Sequence, residues 1–284
     1  MQKKIEYILK GREKQITQNE SVLQPLPHAD FRFANPFIVL HHQLPKTIAA
    51  GSKARIHPHP HRGFAPVTLV LQGEGFHQDN AGHSETVVAG DVQWMFAGKG
   101  LLHSEGPSDN ILKNGGVQEF IQLWINVPRD KKMSAPFYQT AKAADQPRIL
   151  EQDGVDLKLS AGEMDGKSGP LQSFTPVTIV NGSIEAGNRM LVPAIPGYWT
   201  LLYIIKGRLN INQEAVDEHN LVVFEKENDE ILLCAEEDVQ ILFLSAEPIN
   251  EPIAAKDNFV MNSMDEIDQA MEDYKKGVFG NLNY

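Results

Sequence analysis

Ile56-His57-Pro58-His59-Pro60-His61-Arg62-Gly63-Phe64 opens, and Gly98-Lys99-Gly100-Leu101-Leu102-His103-Ser104-Glu105 closes, the stretch on which the reading of this chain turns. Eight of the ten histidines (His41, His42, His57, His59, His61, His77, His83 and His103) fall between positions 41 and 103. On a strand, residues i and i+2 share a face. His59-x-His61 therefore aims two imidazoles at one spot, and His103-x-Glu105 aims an imidazole and a carboxylate. Between the pairs lie Val67-Thr-Leu-Val-Leu71 and Asp91-Val-Gln-Trp-Met95, cut by Gly73, Gly75, Asn80-Ala-Gly82 and Gly90. Such runs read as short antiparallel strands. If they curl into a small barrel, three neutral nitrogens and one carboxylate surround a single ion.

One isolated His-x-His is usually a pair of surface or core histidines. Two such pairs on strands of one barrel-sized segment make the metal reading the stronger. Imidazole suits Fe, Zn, Cu and Ni, and an added carboxylate leans toward Fe(II), Mn or Ni over Cu. Four protein ligands on a six-coordinate ion leave two positions for water, substrate or O2.

His59-Pro60-His61-Arg62-Gly63-Phe64, Gly90-Asp91-Val92-Gln93-Trp94-Met95 and Ala97-Gly98-Lys99-Gly100-Leu101-Leu102-His103-Ser104-Glu105 stand in the order and spacing of the pirin signature, and the chain resembles the pirin family of the cupin superfamily from about Phe31 to Gly280. The resemblance implies an all-β chain of two cupin (jelly-roll) β-barrel domains in tandem with a short C-terminal helix. It implies a metal-binding domain over residues 1–135 and a metal-free one over residues 136–284. Carried over residue by residue, the ligands of a non-haem Fe(II) are His59, His61, His103 and Glu105. Where ordinary cupins carry a Glu about five residues after the second histidine, this chain has Pro66; pirins use the later carboxylate. Ala65-Pro66 departs from the usual acidic residue and Thr. His57 is an additional histidine: an outer-shell group, an alternative ligand, or a half-exposed side chain at the barrel mouth. Pro58 and Pro60 cannot donate ladder hydrogen bonds and push the segment to an edge or loop. His41 and His42 also depart from the pirin pattern; surface or outer-shell placement is their default.

The 284 residues suffice for about two domains. Net charge is −11 and the isoelectric point about 5.4, which argues against phosphate-driven nucleic-acid binding and leaves a protein partner open. Cys234 is the only cysteine, so no internal disulfide framework exists, which fits a reducing compartment. No apolar run reaches membrane-spanning length and Met1–Lys10 lacks a signal-peptide core. A cytoplasmic protein without membrane contact is expected.

Further along, Val117–Val127 alternates as a strand, with Gln122 and Trp124 on its mixed face, for which outer-shell and core-packing roles both stand. Pro128–Pro147 reads as a linker, and Ala161–Pro170 as a turn-rich loop. Tyr203-Ile-Ile-Lys-Gly207 echoes Leu69-Val-Leu-Gln-Gly73, and Asn220-Leu-Val-Val-Phe224 echoes Asp91–Met95, as in an internal duplication. In the second copy Ile195-Pro-Gly-Tyr-Trp199 replaces the paired histidines and Leu232-Leu-Cys234 replaces His103-Ser-Glu105. Ser263 with Glu266 forms a capping box for a helix stopped by Gly277, with Ile267, Ala270, Met271 and Tyr274 on its buried face.

Two functions follow from the resemblance. One is an Fe(II) dioxygenase cleaving quercetin or a similar small aromatic substrate with O2, with Glu105 as base. The other is an iron-dependent, redox-sensing co-regulator that binds a transcription factor or metabolic enzyme. Mn, Ni, Zn and Cu are the other metals such a site accepts.

Overall fold

The computed structural model describes residues 1–17 and 20–283. The chain divides into two compact units, each discontinuous in sequence: residues 1–36 with 144–248, and residues 37–143 with 249–284. The expected division is a single cut after residue 135, whereas these contacts divide the chain three times. Pairing explains part of this: Ile5–Lys10 runs antiparallel to Asn220–Phe224, two hundred positions away, placing Leu9 opposite Leu221.

In the unit of residues 37–143 and 249–284, one sheet carries the strands Phe137–Ala141, Val92–Phe96, Phe64–Gln72, Gly116–Asn126 and Phe37–Ile48, in that spatial order. A four-stranded sheet has the order Ile56–His61, Leu101–Pro107, Glu74–Asp79, Ser84–Val88. In the other unit, Ile5–Lys10, Asn220–Phe224, Trp199–Lys206, Val239–Ala246, Val177–Ile184, Val155–Ala161 and Arg148–Ile149 make the long sheet. Arg189–Pro193, Glu230–Ala235, Leu209–Ile211 and Glu214–Val216 make its four-stranded companion. The four-stranded sheets of the two units share one strand order, and the class is the expected one: all-β, two cupin-type barrels and a short C-terminal helix. Among the described residues no helix is long and apolar enough to cross a membrane.

Three sequence expectations change. The supposed linker Pro128–Pro147 contains the strand Phe137–Ala141, which pairs with Val92–Phe96 as Ile5–Lys10 pairs with Asn220–Phe224. Short, partly polar strands of this kind give little periodic signal, and only the unpaired edge beside them calls them into the sheet. The strand matching Ile56–His61 by its place in the sheet is Arg189–Pro193, not Ile195–Trp199, which is largely the turn into the next strand. Tyr274 is exposed (41%), so the buried helix face narrows to Ile267 and Ala270, with Met271 partly covered. That helix, Met264–Lys275, does begin with the expected box: Ser263 Oγ accepts from Glu266 N and Glu266 Oε2 accepts from Ser263 N. It packs with Phe259, Met261 and Phe279 against Leu102, the residue preceding His103.

Candidate metal centre

Ile56–His61 is the edge strand of its sheet and, among the described residues, pairs only with Leu101–Pro107. The edge is where a strand containing Pro58 and Pro60 is tolerated, because neither proline can donate. Register places His59 opposite His103, with a bulge between His103 and Glu105. The other flank of Leu101–Pro107 places His77 opposite Glu105 and Asp79 opposite His103.

The three expected histidines converge. One ligand nitrogen from each of His59, His61 and His103 lies within 4.8 Å of the others. Ring centroids are 4.3 Å apart for His59 and His103, 4.8 Å for His61 and His103, and 5.0 Å for His59 and His61. Two of the rings have their tautomer set by backbone. His59 Nδ1 donates to the His57 carbonyl at 2.9 Å, and His61 Nδ1 donates to the Asn258 carbonyl at 3.2 Å. A carbonyl only accepts, so each Nδ1 holds the proton and each Nε2 keeps a free lone pair.

His103 is 1% exposed, and both of its ring nitrogens are buried without a hydrogen-bond partner. Leaving buried polar atoms unpaired is costly, so the arrangement makes sense if one of them meets a ligand. Burial, reinforced by repulsion from His59 and its neighbours, holds His61 and His103 well below the ordinary histidine range. Both are therefore neutral at pH 7, the state a metal requires. The donor set fits a borderline divalent ion.

Glu105 lies outside that tight trio. Its two carboxylate oxygens accept from Gln122 Nε2 at 3.2 and 3.1 Å. Trp124 Nε1 donates to Gln122 Oε1 at 3.3 Å, which turns the amide so that its NH2 faces Glu105. The Trp124 ring stands 4.5 Å from Phe64 and 5.8 Å from His61, centroid to centroid. Gln122 thus orients the carboxylate, and Trp124 both packs and orients.

The remaining histidines separate. His57 is exposed and contributes its carbonyl to His59. His42, expected at the surface or in the outer shell, is fully buried and paired with Glu119 at 3.0 Å. His41 lies opposite Gln122 in the ladder. The sequence assigned no role to His77 and Asp79, although they repeat the i, i+2 spacing of the other pairs. It gave no sign of Asn258, whose contribution is a main-chain oxygen.

The loop after His61 is pinned. Arg62 Nε donates to the Lys99 carbonyl at 2.7 Å and its guanidinium pairs with Asp273 at 2.8 Å. A side chain at Gly63 (φ 85°) would collide with the Val260 carbonyl oxygen. Lys132, 1% exposed, donates from Nζ to the carbonyls of Gly63 at 2.8 Å and Val260 at 3.2 Å, and to Asn126 Oδ1. Burial pushes it down to about 7, against the weaker opposing pull of Glu251 and Glu266.

Residues 16–125 match the family described as Pirin, and residues 179–280 match the Pirin C-terminal cupin domain. A Pseudomonas aeruginosa protein provisionally named a quercetin 2,3-dioxygenase is 37% identical over 247 residues, 86% of each chain. Pirin-1 of Arabidopsis thaliana is 36% identical over 259 residues, covering 88% of this chain and 85% of its own. A crystal structure of quercetin 2,3-dioxygenase from Acinetobacter baumannii superposes with a TM-score of 0.93 at 32% identity, over 100% of both chains.

Proposed function

Starting from the premise that this chain belongs to the pirin family, we propose that it is a non-haem Fe(II) dioxygenase acting with O2 on a quercetin-like flavonol or other phenolic substrate. His59, His61, His103 and Glu105 hold the metal in this reading. The observation that carries it is His103: a fully buried imidazole with two unpartnered nitrogens, facing two rings whose free lone pairs are fixed by backbone carbonyls. Bound Fe(II) supplies a Lewis acid for an ionised hydroxyl and the one-electron chemistry by which a spin-paired organic molecule reacts with O2.

The protein's own groups do the rest. Trp124, half-buried beside His61 and backed by the buried Phe64 ring, presents an aromatic face, which suits a flat aromatic substrate by stacking. Glu105 takes the proton of the substrate hydroxyl. Gln122, steadied by Trp124, keeps that carboxylate aimed while its charge changes.

The test is anaerobic Fe(II) loading followed by O2 uptake with and without quercetin, with His61→Ala as control. Uptake that requires quercetin and disappears in the control is the expected result. One iron per chain without any uptake would overturn the oxygenase assignment, and failure to bind iron would overturn the metal site as well.

A further inference from the structure

His77 belongs to none of the roles described above, yet it is 0% exposed and beside the candidate centre. Its Nε2 lies 3.0 Å from Asp79 Oδ2. Asp79 is itself buried. Its Oδ1 accepts from the backbone N–H groups of Ala81 at 2.9 Å and His83 at 3.1 Å, and its oxygens also meet His83 Nδ1. Burial alone would raise the Asp79 carboxyl, but the bonds from His77 and His83 outweigh it and keep the group below the usual carboxylate range. An ionised carboxylate only accepts, so His77 Nε2 carries its proton and His77 Nδ1 is left with a bare lone pair. That Nδ1 is buried and has no partner.

His103 poses the complementary problem. An imidazole that gives one nitrogen to a metal carries its proton on the other, and both nitrogens of His103 are buried and unpartnered. The His77 and His103 centroids are 5.4 Å apart at 42°. Two imidazoles joined by an N–H···N bond of about 2.9 Å have centroids roughly 5 Å apart. A small rotation of either ring, or one intervening water, connects the donor to the acceptor.

We propose that His77 and Asp79 form a positioning dyad for His103, with His77 Nδ1 accepting the N–H of His103 and Asp79 fixing the His77 tautomer that makes this acceptance available. The inference rests on the metal reading of His59, His61 and His103. Outer partners of this kind hold a ligand ring in place and raise its basicity.

Co(II) serves as the probe, because its visible bands report ligand geometry without any turnover. His77→Phe keeps a flat ring against Tyr138, which now stacks on His77 at 4.7 Å, but removes the acceptor. Co(II) affinity should fall about 10- to 100-fold, with a shifted spectrum. His77→Gln retains an acceptor oxygen and a donor for Asp79, so it should recover most of that loss. Asp79→Asn should cost as much as His77→Phe. Its amide oxygen stays with the two backbone N–H groups, so its NH2 faces His77 and turns Nδ1 into a second donor toward His103. The double variant should be no worse than His77→Phe alone.

Wild-type affinity and spectrum in His77→Phe, or losses in the two single variants that add in full, would overturn the dyad. If His77→Phe does not fold, His77→Gln and Asp79→Asn decide: Asn weak and Gln strong supports the dyad, and the reverse order overturns it. A wild-type chain that takes up no Co(II) would instead remove the metal reading on which the dyad stands.

Discussion

The small sheets of the two barrels have the same strand order and opposite contents. In one, the two strands at the open edge carry His59, His61, His103 and Glu105. In the other, the strands in the same places, Arg189–Pro193 and Glu230–Ala235, turn Met190, Val192, Ile231, Leu233 and Ala235 into a continuous apolar core with Leu202, Phe224 and Phe243. An inward position of a barrel can be filled with hydrocarbon, which stabilises, or with polar groups, which cost stability unless something binds them. One copy shows the first solution and the other shows the second. The lesson is that the apolar barrel is a measure of what the histidines cost the first.

The largest effect that should separate the barrels is on metal uptake. His61→Ala should lower Co(II) or Fe(II) affinity by at least about 100-fold, beyond the range of outer-shell changes, as read by competition with a chelator; undiminished affinity would erase the distinction between the copies. Next, Leu233→Ala in the apolar barrel, where the side chain is 1% exposed, should cost about 3 kcal/mol in urea unfolding and leave metal stoichiometry unchanged. The third sharpens the comparison directly. His103→Leu makes the first barrel resemble the second and removes two buried unpaired nitrogens. The metal-free variant should match or exceed the stability of the metal-free wild type by about 1 kcal/mol, while metal binding is lost.

The last comparison is read as a slope with pH and concerns Lys132, which helps hold the loop after His61. Its folded value is about 7 and its ordinary value 10.5. Between those values the unfolded chain binds one proton more than the folded chain. Stability therefore rises with pH across that window, by up to about 1.4 kcal/mol per unit, and this contribution levels off below pH 7. Lys132→Met should flatten that slope in denaturation curves taken from pH 7 to 10. A slope that persists would place its origin elsewhere.

Much was legible before any coordinates. The i, i+2 spacing of His59-x-His61 and His103-x-Glu105, the glycine-bounded apolar runs and the Ser263–Glu266 box are local patterns, and local patterns survive in a linear string. With the family resemblance they carry, they pointed to two barrels and to the copy that holds the polar face, and by themselves they marked where the last helix begins. Other features depend on which strand lies beside which. Phe137–Ala141 looks like a linker until Val92–Phe96 offers it an edge. Tyr274 fits the helical period, but it stands exposed at the rim of the surface that covers Ile267 and Ala270. His77 and Asp79 repeat the telling spacing, yet only register across Leu101–Pro107 brings them next to His103 and Glu105.

By itself, then, the sequence determined the all-β class and the duplicated barrel through the motifs it shares with the family it resembles, and the histidines that meet through strand periodicity, which fixes which side chains share a face. Only the tertiary structure decided that the Asn258 carbonyl orients His61, that Gln122 holds Glu105 and that the chain's units are discontinuous. Those contacts join residues 17 to more than 200 positions apart, and long-range pairing is set by which buried groups still need a partner once the barrels close.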